Sequence, residues 1–179
     1  MAPDLRGPDR SEPDPWPVDD RQHPHQGPPL GRRRKRGAYA QALGLSRGGK
    51  TSKLHALTDG LGRPRVLLLS AGNINDISIA RALLQQAGPV QGLIADRGYD
   101  ANHLRLFLAE QGARAVIPST TSRRVPIPHD AVAYRDRNRI ERMWCRLKDW
   151  RRIATRYDKL ARNFLSAAYL VAVLAYWVN

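Results

Sequence analysis

The segment Tyr134–Lys148, YRDRNRIERMWCRLK, sets five arginines and one lysine around a single glutamate, Glu141. Tyr134, Arg137, Glu141 and Lys148 are spaced by three, four and seven residues. At about 100° per residue a helix keeps all four on one face. Such a carboxylate has two readings. It can be the acidic half of a surface i,i+4 pair with Arg137, worth about 0.3–0.5 kcal/mol. It can instead hold a divalent cation while the cations around it grip phosphates. A second carboxylate, Asp96, closes the apolar run in LIADRGYD. Functional groups in α/β sheets gather at the C-terminal ends of strands, and a buried unpaired charge is costly there. Asp96 is therefore either a turn or capping residue before Gly98, or a ligand. Together the two carboxylates suit phosphoryl transfer on a polyanion. Two divalent ions about 4 Å apart can activate one oxygen and stabilise another, and magnesium takes hard oxygen ligands, usually one or two carboxylates plus water and phosphate.

Positioning these groups requires a scaffold, and its elements are legible from residue 37 onward. KTSKLHALTD alternates Leu54, Ala56 and Thr58 against Lys53, His55 and Leu57, a strand pattern. RPRVLLLSAG is a second strand after a Gly-Arg-Pro turn. NDISIARALLQQAG predicts a helix with Asn75 or Asp76 as cap, Ile79, Leu83 and Ala87 on its face, and Gly88 as its end. VQGLIAD reads as a third strand ending at Asp96. DANHLRLFLAEQG reads as a second helix capped by Asp100 and ended by Gly112, and RAVIPS as a short strand. Residues 119–130 form a basic, proline-punctuated loop. Residues 131 to about 157 predict one long cationic helix, and FLSAAYLVAVLAYWVN a buried C-terminal helix. The whole predicts an α/β domain with one mixed sheet and helices packed on it.

The chain has 179 residues, 30 Lys+Arg against 16 Asp+Glu, and a net charge of +14; its pI is about 11.0. That balance points to nucleic acid before an anionic membrane surface. The apolar tail is shorter than the about 20 residues a membrane span needs, so no membrane partner is expected. With Cys145 as the single cysteine, no internal disulfide can form, which suits a cytoplasmic location. Residues 1–36 differ in kind, holding eight of the 13 prolines and few aliphatic residues. They read as disordered, with the His23/His25 pair and the RRRKR run as solvated features.

The residues Tyr134, Arg137, Glu141 and Lys148, downstream of Asp96 in DRGYD, resemble the Tyr-Arg-Glu-Lys signature and second-aspartate motif of bacterial insertion-sequence DDE transposases. GLSRGGKTSKLHALTDGLGRPRVLLLSAGNINDI and RRIATRYDKLARNFLSAAYLVAVL are similar to the insertion-sequence-five-like branch, so the likeness covers residues 37–179. It implies an RNase H-like fold, with Asp96 and Glu141 as catalytic carboxylates and metal ligands and Mg2+ as cofactor. It also implies that Tyr134, Arg137 and Lys148 contact transposon-end DNA or order the site. The reaction would be hydrolysis at the transposon end followed by strand transfer from the freed 3′-OH, on DNA partners comprising terminal repeats and target. Multimeric action on paired ends is an analogy pointing to a homo-oligomer.

The sequence departs from that family at one point. The first catalytic aspartate belongs on a first core strand in an Asp-Ser-Thr context, and no such strand is legible. Codons permitted for DDRQHPHQGPPLGRRRKRG, read one nucleotide later, spell MTDSTHIKAHRSAAGAKGG, which supplies that context. Residues 1–36 then read as off-frame, from a decayed element or the second frame of a two-frame element. The two-metal site would be incomplete and the chain inactive alone, with a sheet edge or a gap in the core. The rival is a non-catalytic basic DNA-binding remnant or regulator. A nuclease or resolvase on the same fold is the enzymatic runner-up, and a small ribosomal-type protein leaves the two carboxylates unexplained. Secondary candidates are Arg97 as a DNA contact beside Asp96, and Lys50, Lys53, Arg123 and Arg124 as phosphate contacts. His55 is read as a surface or satisfied core histidine, Asp76 as a helix cap, and Trp144 and Trp150 as packing residues.

Overall fold

A computed structural model describes residues 41–46 and 49–178. The segment 1–36, with His23, His25 and the RRRKR run, lies outside the described residues. Three strands come first: β1 (Gly44–Ser46), β2 (Gly49–Thr58) and β3 (Pro64–Ala71), followed by α1 (Asp76–Ala87). Then come β4 (Gly92–Ile94), a 3-10 turn (Arg97–Tyr99), α2 (Asn102–Glu110) and β5 (Arg114–Val116). The remainder is helical: α3 (Ala131–Tyr134), a 3-10 turn (Arg135–Arg137), α4 (Asn138–Lys148), α5 (Arg151–Ala154) and α6 (Ala161–Tyr176).

The fold is α/β, as expected, but among the described residues the strands form two sheets rather than one. β1, β2 and β3 are antiparallel in that order, and β4 pairs with β5 in parallel. β3 runs beside β2 from Ser52 to Thr58, whereas β1 reaches only Gly49, Lys50 and Thr51. Among the described residues, β2 along Ser52–Thr58 thus has a strand on one side only, and β4 has a neighbour only in β5. β1 was not foreseen. β4 is also shorter than predicted, ending two residues before Asp96.

Helices cover both faces of the β2–β3 hairpin. Leu67, with Leu54, Ala56 and Leu69, packs against Met143, Leu147, Ile153, Phe164, Ala168 and Val171 from α4, α5 and α6. Val66, with Leu57 and Leu68, packs against Leu83 and Ala87 of α1. Double burial explains why β3 reads as an unbroken apolar run. A further core joins α1, β4 and α2 through Leu84, Leu93, Leu104 and Leu108. On the outer edge of β3, the Tyr169 hydroxyl donates to the Leu67 carbonyl at 2.7 Å and accepts from its N–H at 3.2 Å, blunting that edge. Arg65 caps the C-terminus of α1, donating to the Ala87 carbonyl at 2.6 Å.

The single helix expected from residue 131 to about 157 is broken. Asp130 caps α3 through the N–H groups of Val132 and Ala133, and the chain leaves α4 after Lys148, with Trp150 extended. A straight helix would turn Ile153 about 120° away from Leu147 around the axis; the break returns Ile153 to the same core. The C-terminal helix is buried on one face only, since Leu170, Val173 and Leu174 are exposed. Of the two tryptophans read as packing residues, Trp144 packs against the core and Trp150 is exposed.

Asp100 does not cap α2, whose cap position is Ala101. Its side chain is fully enclosed and accepts from Arg105 Nε at 2.8 Å, Arg123 Nε and Nη2 at 2.9 Å, and the Thr120 N–H at 2.8 Å. Arg123, a candidate phosphate contact by sequence, is therefore spent on an internal pair. Its hydrogen bonds, with those of Thr120 and Arg105, outweigh burial and hold the Asp100 carboxyl well below the ordinary value of 3.8. A depressed folded value means that this contribution is complete above the unfolded value and is lost as pH falls below about 4. Asp100→Asn is expected to lower the melting temperature at pH 7 by roughly 5–10 °C, with the difference from wild type shrinking as pH drops from 4 towards 2. Thermal melts across that range check this.

Candidate functional site

Asp96 follows β4 and serves as N-cap of the 3-10 turn, its Oδ1 accepting from the Gly98 N–H at 2.9 Å. The turn reading of this aspartate is thus realised, and it does not displace the other. A Cβ built on Gly98 would lie 3.0 Å from Asp96 Oδ1, so glycine is what lets the carboxylate fold over its own turn. No cation pairs with Asp96 among the described residues.

Glu141 sits in the first turn of α4 and is more than half exposed. Arg137 Nη1 lies 2.8 Å from its Oε1, the i,i+4 pair that the sequence left open. Yet Asp96 and Glu141, from a strand end and a helix 45 residues apart, line the same cavity of about 440 Å³. Its walls are Ala56, Leu57 and Thr58 of β2, Gly92, Leu93 and Ile94 of β4, Leu83 and Leu84 of α1, and Ile140 and Trp144 of α4. Arg137 lines it too.

The other carboxylates at this cavity are committed. Asp59 locks the β2–β3 turn, accepting from the N–H groups of Leu61 and Arg63 and from Arg63 Nε at 2.7 Å. Burial works against its ionised form, but these hydrogen bonds prevail and lower its pKa. Asp136 pairs with Arg139 at 3.0 Å. Among the described residues no cluster of three or more His, Cys, Asp or Glu side chains has metal-site geometry.

The four signature residues do not share one site. Lys148 lines a different, larger cavity of about 800 Å³ together with Lys50, Lys159, Arg156, Tyr157 and Trp144. Among the described residues only Trp144 borders both cavities. Tyr134 packs edge-on against His129, with ring centres 5.4 Å apart. Arg97 is exposed beside Asp96. Glu141 and Lys148 lie on the same helix, α4, but seven residues put them about 10 Å apart along its axis, and they border different cavities.

Two features escaped sequence reasoning. Tyr99 lines the Asp96 cavity, and burial, then the charges of Asp76 and Asp96, push its phenol up to about 12. Asp76 is no cap; it lies in the first turn of α1, pairs with Lys53 at 3.0 Å and approaches His55 Nδ1 at 3.8 Å. Lys53 is therefore also spent internally. His55 is buried, with Nε2 2.7 Å from Ser70 Oγ, and burial lowers its pKa. It is a satisfied core histidine. The only available signal was the Tyr and Asp of RGYD and GNIND, which carry no spacing rule of their own.

Because Glu141 is exposed, its loss should hardly touch the fold. Glu141→Gln is expected to change unfolding free energy by no more than about 1 kcal/mol, whereas Leu147→Ala, in the core on the same helix, costs about 2–5 kcal/mol. Chemical denaturation of both variants checks the contrast; equal losses would make Glu141 a structural residue.

Residues 18–177 match the family described as Transposase DDE domain. The match begins inside the proline-rich segment. Over 125 residues the chain is 35% identical to a protein of Brucella ovis named as a transposase for insertion sequence element IS6501, covering 69% of this chain and 96% of that protein. It is 31% identical over 121 residues to one of Burkholderia cepacia named for insertion sequence element IS402, covering 62% of this chain and 55% of that protein. The chain thus spans about half the length of the second relative and nearly all of the first. No solved structure matches. No helix among the described residues is long and apolar enough to cross a membrane.

Proposed function

This chain belongs to the DDE transposase family, and from that premise we propose that residues 37–179 are the later part of an RNase H-like catalytic domain for metal-dependent phosphoryl transfer on DNA. The reaction is hydrolysis at the transposon end, then strand transfer by the freed 3′-OH. The observation that carries this reading is the meeting of Asp96 and Glu141 at one cavity.

The donor set fits magnesium, since both groups offer hard carboxylate oxygens, and Asp96 has no competing cation among the described residues. When bound, the metal supplies Lewis-acid activation of the attacking and leaving oxygens. Asp96 and Glu141 are the residues that would hold it. Arg137 balances the charge of Glu141 in the metal-free protein and is close enough to reach a phosphate at the same cavity. Arg97 and Lys148 are the phosphate contacts, the latter from the neighbouring basic cavity beside Lys50 and Lys159. Tyr134 orders the approach to α4. Their affinity is electrostatic and falls steeply with salt. The place of action is the cytoplasm, on terminal repeats and target DNA, with a homo-oligomer joining paired ends.

Among the described residues two carboxylates stand where the family uses three, and on this reading the chain as written is inactive alone. The excess of 30 basic over 16 acidic residues favours, for the isolated chain, the second reading of a DNA-binding remnant or regulator. Both are tested together. The present chain is expected to bind DNA, with affinity falling as salt rises, and to give no strand transfer with Mg2+. A chain carrying the shifted reading across residues 19–37 is expected to cleave matching terminal repeats. In that restored chain Asp96→Asn or Glu141→Gln should cut the rate by roughly 10²–10³-fold or more. Cleavage that survives either substitution refutes the assignment, and robust transfer by the present chain refutes its incompleteness.

A further inference from the structure

From Asn163 to Asn179 the chain carries no charged side chain, and α6 takes up most of that stretch. One face of α6 is spent on the core through Phe164, Ala168, Val171, Ala172 and Ala175. The opposite face is no less apolar, yet Leu170 is 61% exposed, Val173 45% and Trp177 54%. Leu174 and Val178 extend the same exposed surface. Ser166, Leu170, Val173 and Trp177 follow one another by four, three and four residues, the spacing of a seam between two helices. A helix that is apolar all round belongs where it is covered all round, and a contiguous exposed apolar patch marks a contact surface. A bilayer crossing does not supply the cover, since no helix among the described residues is long and apolar enough for one.

We propose that the outer face of α6 is a self-association surface, on which a second copy of this chain lays its own α6, antiparallel and related by a two-fold axis. Charge selects the occupant. Two copies at +14 each repel one another, and they meet at least cost where neither presents a charge, which is this face. DNA needs cations, and this face offers none. Segment 1–36, rich in proline and poor in aliphatic residues, has little to lay on it. The exposed parts of these side chains amount to roughly 500 Å² per copy, so a two-fold pair covers about the 1,000 Å² that a specific interface must clear. With the axis between Leu170 and Val173, these two meet across the seam, and Trp177 of each copy lies over Ser166 of the other, a large ring on a small side chain. The aromatic groups are already held. Arg63 lies over the Trp177 ring at 4.3 Å, and the Tyr169 hydroxyl is tied to Leu67, so little side-chain freedom is lost on association. Such a contact is self-complementary and closes at two copies.

Sedimentation velocity of the full chain over about 1–300 µM tests this. A monomer–dimer equilibrium is expected, with Kd on the order of 10–100 µM for an interface of this size. It should tighten at least about threefold as NaCl rises from about 0.05 to 0.5 M, because salt screens the repulsion between the copies; DNA binding moves the other way. Leu170→Glu and Val173→Glu should each weaken the dimer at least about tenfold while leaving the melting temperature within about 2 °C of wild type, as exposed positions do. Leu106→Glu, at an equally exposed site on α2, should leave the dimer intact. A monomer at every concentration, a dimer that survives both α6 substitutions, species larger than a dimer, or association that weakens with salt overturns the proposal. So does a chain that stays monomeric but binds lipid vesicles through Leu170. Asp96→Asn should leave self-association unchanged, so this inference and the proposed metal site fail separately.

Discussion

The position of β4 relative to α4 is what the rest of the molecule depends on. Leu93 of β4 is held by Leu84 of α1 and by Leu104 and Leu108 of α2. Met143 and Leu147 anchor α4 on the opposite face of the β2–β3 hairpin, each with no exposed surface. α1 contributes to both packing groups that touch the hairpin and β4. These apolar contacts are non-directional, but together they leave α4 nowhere else to lie. They bring the end of β4 and the first turn of α4 to one cavity, so hydrophobic burial rather than electrostatics sets Asp96 and Glu141 on its lining.

Charge pairing around the site is selective. Asp59, Asp100, Asp136 and Glu141 each have an arginine within 3.0 Å, in a chain with arginine to spare. Among the described residues Asp96 pairs with no cation, and its carboxylate accepts from the N–H of its own turn. Asp100, four residues on, takes two guanidinium groups and fixes the loop behind the turn. The Asp96 carboxylate is thus mounted on a rigid support. Two arginines thereby become unavailable to DNA, and Lys53 is withdrawn likewise by Asp76. The net charge of the sequence overstates the number of cations free for phosphate.

Much of this was legible in the chain because local patterns and the final packing agree. Alternation in KTSKLHALTD and the apolar run VLLLSA gave β2 and β3, and Gly88 and Gly112 marked helix ends where φ is +74 and +65. The long cationic helix was misread, because charge spacing is indifferent to the position of Ile153, and it is Ile153 that forces the break. One expected sheet became two because strand periodicity reports each strand's faces and says nothing of what lies beside it. The partners of Asp100 lie 5, 20 and 23 residues away in sequence, beyond any local pattern. The resemblance carried Asp96 and Glu141 together; spacing alone could not join a strand end to a helix across 45 residues.

Sensitised terbium luminescence tests the central claim most directly. Tb3+ is a hard, oxygen-seeking ion that stands in for Mg2+, and Trp144 borders the cavity that Asp96 and Glu141 share. Excitation of tryptophan should give terbium emission that Mg2+ competes away and that falls severalfold in Asp96→Asn, in Glu141→Gln and in Trp144→Phe alike. Emission that persists unchanged in both carboxylate variants would mean that the two groups do not hold a common ion.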